Sequence, residues 1–238
     1  MQDDKRLTLI GHLEELRYRI IVCLIVFILC SIISFRYAKE ILDFLAKPVE
    51  QLIFIYPMEL FLVYLKIAFI GGIILASPVI FYQIWIFISS GLYPQEKKYV
   101  RLFFPLSLVL FFLGLVFSYF FVLPLGIRFL LSFSTDKIIP MFSVGRYFSF
   151  VGMLVFSTGI VFETPVVVLF LTKVGLVNPY LLRRKWKYMM VMAFILAAVI
   201  TPTVDVFTQC FLAIPMIFLY EISIWLSKLV WNKNKLSS

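Results

Sequence analysis

Apolar residues run through this chain in long charge-free stretches separated by short polar ones: 20–35, 67–90, 102–127, 147–172, 188–204 and 206–227. The only charged side chains inside them are Glu163 in the fourth and Glu221 in the last. A hydrocarbon core about 30 Å thick is spanned by about 20 helical residues, so stretches of this length predict six transmembrane helices. The expected fold is all-α, a six-helix integral membrane bundle forming a single domain over residues 1–238, since neither a linker nor an internal repeat divides the chain.

Smaller patterns refine this plan. Residues 38–46, Ala-Lys-Glu-Ile-Leu-Asp-Phe-Leu-Ala, alternate as a short amphipathic helix that stops before Pro48 and lies on the membrane surface. Pro78, Pro105, Pro124, Pro165 and Pro215 fall within or near helical runs, so bends are expected there. The fifth stretch offers only about 14 residues before the Thr201-Pro202 turn, roughly 21 Å of helix against about 30 Å of hydrocarbon. Asp205 is therefore expected close to lipid.

Composition agrees that lipid is the main solvent: 63% of residues are apolar, 15% are charged, and the mean hydropathy is +1.03. The net charge of +9 is spread over the ends of the spans, a topology signal and not a nucleic-acid surface. Of 22 Lys and Arg, 15 fall on the side that carries both termini and 7 on the other, which places both termini in the cytoplasm. The first stretch leads into Phe35-Arg36-Tyr37 without a small-x-small cleavage site and reads as a retained helix.

Candidate chemistry is sparse. Cys23, Cys30 and Cys210 lie inside spans as small hydrophobes, and a single histidine, His12, leaves no ligand set for a metal. No cofactor site and no pairing of nucleophile with base is evident, so an enzyme is not expected. Glu163 stands out, because an acidic group at mid-bilayer depth costs roughly 2.5 to 3.5 kcal/mol and needs a partner, water or a proton. One reading makes it the protonatable site of a proton-coupled small-solute transporter; against this, the chain lacks repeated halves with matched broken helices. At the inner end of the first span, Glu14 and Arg17, and Glu15 and Arg19, are spaced for local ion pairs. The segment Gly91-Leu92-Tyr93-Pro94-Gln95-Glu96-Lys97-Lys98 reads as a turn in which Glu96 is an acid among bases.

His12-Leu13-Glu14-Glu15-Leu16-Arg17 resembles the H-L-x-E-L-R signature of the TatC family, the multispanning subunits of twin-arginine protein translocases. Leu92-Tyr93-Pro94-Gln95-Glu96-Lys97-Lys98, Phe162-Glu163-Thr164-Pro165, Thr201-Pro202 with Asp205, and Leu212-Ala213-Ile214-Pro215 resemble further family landmarks in the same order. The resemblance implies a glove-shaped bundle in a prokaryotic plasma membrane that exports folded proteins with the proton-motive force, without a bound cofactor. It implies single-span partners of the TatA and TatB type and assembly of several copies into a receptor complex. By the same resemblance Glu15 and Glu96 take the paired arginines of the signal peptide, with Arg17 and Phe87 nearby. Carboxylates suit this task because they accept guanidinium bidentately. Glu163, Thr201, Gln209 and Asp205 resemble positions that receive partner helices. The turn here reads Thr-Pro-Thr-Val-Asp, longer than the family's common Thr-Pro-Pro-Asp, which leaves open which threonine takes part.

Overall fold

A computed structural model describes residues 9–49, 52–93, 97–133, 141–200 and 206–235. Helix α1 (Leu9–Arg36) is followed by the short α2 (Ala38–Ala46), a two-residue strand β1 (Leu52–Ile53) and the long α3 (Pro57–Ser90). Next come α4 (Lys97–Phe117), a π-helical turn (Ser118–Val122) and α5 (Leu123–Leu131). Strand β2 (Phe142–Ser143) leads into α6 (Val144–Val161), then α7 (Thr164–Lys173), α8 (Pro179–Arg184), α9 (Trp186–Ile200) and α10 (Val206–Lys235). Among the described residues, five helical runs are long and apolar enough to cross a membrane: Gly11–Arg36, Pro57–Ser90, Lys97–Leu131, Val144–Lys173 and Gln209–Leu229. The sixth expected span is the shorter apolar helix α9, whose 15 residues rise about 22 Å. Its predicted continuation through the Thr201 turn lies outside the described residues.

The amphipathic segment forms α2 with the expected boundaries. Two of the five long runs are locally irregular, each at a proline where a bend was expected. A helical proline cannot donate to the carbonyl four residues back, and its ring crowds that carbonyl. Before Pro124 the helix widens so that the Leu123 amide reaches Ser118 O, five residues back. Before Pro165 the helix opens at Phe162-Glu163, and Glu163 is not in mid-helix but at the entry to α7.

The carbonyls left without a partner are supplied by side chains. Ser77 Oγ donates to Ile74 O (2.7 Å), which Pro78 cannot serve, and Thr164 Oγ1 donates to Val161 O (2.7 Å), which Pro165 cannot serve. At the end of α2, where Pro48 has no amide to give, Phe44 O receives the Lys47 amide at 3.4 Å and a second donor, Tyr119 Oη, at 2.9 Å; Tyr147 Oη caps the neighbouring Leu45 O at 2.7 Å. In hydrocarbon no water substitutes for a missing donor, so a hydroxyl placed one residue before a proline lets a helix bend without exposing its backbone.

Packing follows the small residues. Along the α1–α3 seam a Cβ on Gly72 would stand 2.9 Å from Ser31 Cα, while Ser34 Oγ donates to Ile67 O at 3.0 Å. Along the α4–α6 seam a Cβ on Gly114 would meet Gly159 Cα at 2.9 Å. Such close approach is how helices associate where lipid removes the hydrophobic drive between them. The main core joins Val63 and Ile67 of α3, Leu123 and Ile127 of α5, Val151 and Leu154 of α6, and Leu212 and Ala213 of α10. Outward, α1 shows Ile21, Leu24, Ile28 and Ile32, each about half exposed, a surface suited to acyl chains.

The two ends of the bundle differ. One gathers the start of α1, the end of α3, the start of α4 and the end of α7, where the Lys173 ammonium lies 4.8 Å from the centroid of the Tyr99 ring. The other is built from α2, β1, β2 and the first turns of α3 and α6. Here β1 and β2 pair in parallel, Leu52 opposite Phe142 and Ile53 opposite Ser143.

Candidate functional site

The first three turns of α1 put His12, Glu15 and Arg19 on one face, which packs against the last turns of α3. Arg19 is held between helices: its Nε donates to Glu15 Oε1 at 3.0 Å, its second terminal nitrogen makes a very close pair with the same oxygen, and Nη1 donates to Gln83 Oε1 at 2.9 Å. His12 Nδ1 lies 3.8 Å from Glu15 Oε2, and its ring stacks on Phe87 with centroids 4.3 Å apart and planes within 16°. Ser90 borders the Glu15 carboxylate. The pair Glu15–Arg19 thus forms as its spacing predicts, whereas Glu14 and Arg17 are exposed and make no ion pair with each other.

The structure brings Glu15 and Phe87 together through His12, and turns Arg17 away to the surface. Glu96 lies outside the described residues. The sequence reading named Arg19 only as a local partner and did not name Gln83. The available signal was a lone glutamine within the apolar run 78–90.

Glu163 occupies a second polar spot. Trp85 Nε1 of α3 donates to Ser107 Oγ of α4 at 3.0 Å, and Ser107 adjoins the Glu163 carboxylate. Oε1 of that carboxylate is buried with no hydrogen-bond partner among the described residues. Trp85 itself is fixed by aromatic packing, parallel to Phe103 at 5.7 Å and edge-on to Phe170 at 5.1 Å. Neither Trp85 nor Ser107 is marked in the sequence by anything beyond its residue type.

Gln209 lies elsewhere. Its amide nitrogen donates to Phe194 O at 2.8 Å, bridging α10 to α9 beside a groove of about 610 Å³ lined by Phe194, Ile195 and Val199. Thr201 and Asp205 lie outside the described residues. The second acidic residue of the spans, Glu221, receives two hydrogen bonds from Arg183 Nη1, at 2.6 and 2.7 Å. Among the described residues no three His, Cys, Asp or Glu side chains are grouped to hold a metal ion, and the three cysteines are free thiols.

Five long apolar helical runs with large apolar side chains exposed on their outer faces define a multi-pass α-helical membrane protein. Residues 11–215 match the family described as Sec-independent protein translocase protein (TatC). A TatC protein of Carboxydothermus hydrogenoformans is 42% identical over 235 residues, covering 97% of each chain, and one of Aquifex aeolicus is 44% identical over 235 residues, covering 94% of this chain and 96% of the relative. The fold is similar to the crystal structure of the twin-arginine translocase receptor TatC, with a TM-score of 0.84 and 44% identity over 92% of this chain and 99% of that one. The chain belongs to the TatC family, whose members are non-catalytic components of a protein translocase.

Proposed function

We propose that this protein is the signal-peptide receptor of a twin-arginine translocase, taking the paired arginines of a cargo's signal peptide at the charged end of its bundle. The observation that carries this reading is the Arg19 guanidinium already seated between Glu15 and Gln83. A pocket edge that accepts one guanidinium in a fork of hydrogen bonds has the chemistry to accept another, and a carboxylate loses most of that geometry with lysine. Glu96 supplies the second acid, with Phe87 as an apolar wall and Arg17 in the same region.

In this reading α9 is a sixth, short span of one domain over residues 1–238, both termini are cytoplasmic, and the membrane is a prokaryotic plasma membrane. The partners are single-span TatA and TatB subunits, several copies assemble in the receptor complex, and export draws on the proton-motive force. Glu163 with its unfilled oxygen, Gln209 beside its groove, and Thr201 and Asp205 receive partner helices.

Photocrosslinking of a twin-arginine signal peptide to the protein in native membranes tests the central claim. Crosslinks at Phe87 that a twin-lysine peptide does not give are expected; equal capture of both peptides removes the recognition claim. A single cysteine at Met141 in a cysteine-free background is expected to label with impermeant thiol reagent from outside, and one at Tyr93 is not; the reverse pattern inverts the topology. The unfilled oxygen of Glu163 also favours a second reading, a proton-coupled solute carrier. That reading requires proton uptake by reconstituted protein without any partner subunit.

A further inference from the structure

At the β1–β2 end, between α3, α5 and α6, lies a cavity of about 700 Å³. Its deeper walls are apolar, with Leu62 from α3, Ile127 and Leu130 from α5, and Phe150 from α6. Its polar lining includes two cations: Lys66 and Arg146 both border it, and Lys66 Nζ donates to Ser149 Oγ at 2.7 Å. Arg146 and Ser149 are one turn apart on α6, so Lys66, bonded to Ser149, and Arg146 reach the same cavity from the same face of α6.

One carboxylate, Glu59, also borders the cavity, but it is committed elsewhere. Its Oε1 accepts from the Ser143 hydroxyl and from Gly145 N (2.7 Å), and its Oε2 from Ile55 N (2.7 Å). It is only 3% exposed. Neither Lys66 nor Arg146 makes an ion pair among the described residues. Lys66 is nine residues into α3, about 14 Å along the helix from its start and at the edge of the 67–90 apolar run, where an ammonium is balanced by an anion or by water. A neutral serine hydroxyl supplies neither.

We propose that this cavity binds an anionic phospholipid of the leaflet that meets the β1–β2 end, its phosphodiester held by Lys66 and Arg146 and its first acyl carbons laid against Leu62, Leu130 and Phe150. Charge and shape select this occupant together. A phosphodiester offers oxygens to both cations at once, the guanidinium in a two-pronged contact. The volume falls within the range of small-ligand sites, about 300 to 1,000 Å³, enough for a headgroup and the start of the chains while the tails remain in the bilayer. A free phosphate leaves the apolar walls bare, and a partner helix leaves two cations unanswered. The proposal is independent of signal-peptide recognition, which takes place at the opposite end.

Native mass spectrometry of the purified protein, delipidated and then titrated with phosphatidylglycerol, tests it. Wild type is expected to retain one phosphatidylglycerol, and Lys66→Gln combined with Arg146→Gln to lower its retention at least ten-fold, whereas Lys66→Arg preserves it. Both side chains are exposed, so the substitutions leave the core intact. Equal retention by the double variant overturns the site, as does equal binding of diacylglycerol, which has no phosphate. If inorganic phosphate raises the melting temperature as much as the lipid does, the site takes a soluble anion and the lipid assignment fails. A disulfide between copies carrying cysteine at Leu130, formed as readily with lipid as without it, makes the face a subunit interface instead. Should the double variant not fold, loss of retention in Lys66→Gln alone, restored in Lys66→Arg, is the deciding measurement.

Discussion

Glu59 and Glu163 are both carboxylates on apolar helical runs, and the protein treats them in opposite ways. Glu59 stands in the first turn of α3 and is saturated by two backbone amides and a hydroxyl, all fixed by the β1–β2 pairing and the start of α6. Glu163 stands where α6 gives way to α7, near Ser107 and with its Oε1 buried without a partner among the described residues. A carboxylate whose donors come from the fold's own backbone is an architectural clasp. One left short of donors is an opening for something outside the chain. Glu15 lies between these cases, since its partner Arg19 is a side chain that another guanidinium can replace.

The sharpest way to break this contrast is Glu59→Ala. It strands the buried Ser143 hydroxyl and the part-buried Ile55 and Gly145 amides, three donors that lose their acceptor at once. The melting temperature in detergent is expected to fall further than in any other variant considered, with much of the protein lost from the monodisperse fraction. Glu59→Gln, which keeps an acceptor oxygen, is expected to fall less. If Glu59→Ala and Glu163→Ala melt alike, the distinction between clasp and opening collapses.

At the charged end, Glu15→Ala and Glu96→Ala are each expected to weaken twin-arginine peptide binding about ten-fold or more, while protein abundance stays near wild type. A hydrogen bond to a charged group contributes about 1.5 to 3 kcal/mol, and 1.4 kcal/mol is a factor of ten. Unchanged crosslinking in the double variant counts against both residues. A smaller effect is expected at the bend that places Glu163: Thr164→Val removes the hydroxyl that serves Val161 O in place of Pro165. A net hydrogen bond contributes about 0.5 to 1.5 kcal/mol, so a modest drop in melting temperature is expected, and no drop means the bend is held by packing alone.

The large features were legible because they depend on length and charge: the apolar runs, the short α9, and α2 up to its stop before Pro48. The details of the bends were not. Pro124 and Pro165 announced a disturbance, but whether the helix widens to a π-turn or opens entirely depends on which donors stand nearby. Thr164 beside Pro165 and Ser77 beside Pro78 are the local clue, a hydroxyl one residue before the proline. Glu59 was passed over because it reads as an ordinary acid at a helix start. Its role appears only when β1 and β2, separated by some 90 residues, are brought together. The Trp85–Ser107–Glu163 series was hidden for the same reason, three helices contributing one residue each.

The smallest effect is the most informative about Glu163. If its empty oxygen awaits a donor from a partner helix, Glu163→Gln retains an acceptor and is expected to keep most partner binding, while Glu163→Ala loses it. Coupling between polar groups within membranes averages about 0.6 kcal/mol, so a loss of about three-fold in partner crosslinking is expected and not a loss of fold. Trp85 and Ser107 keep their own bond in either variant, so the local packing has no reason to change. Signal-peptide capture by Glu15 at the charged end is expected to be unaffected in both. The decisive comparison is therefore between the two substitutions and not between either one and wild type. Partner crosslinking that falls equally in Gln and Ala points to the charge itself, as a proton carrier needs. Crosslinking indifferent to both makes the buried oxygen a by-product of the Pro165 bend.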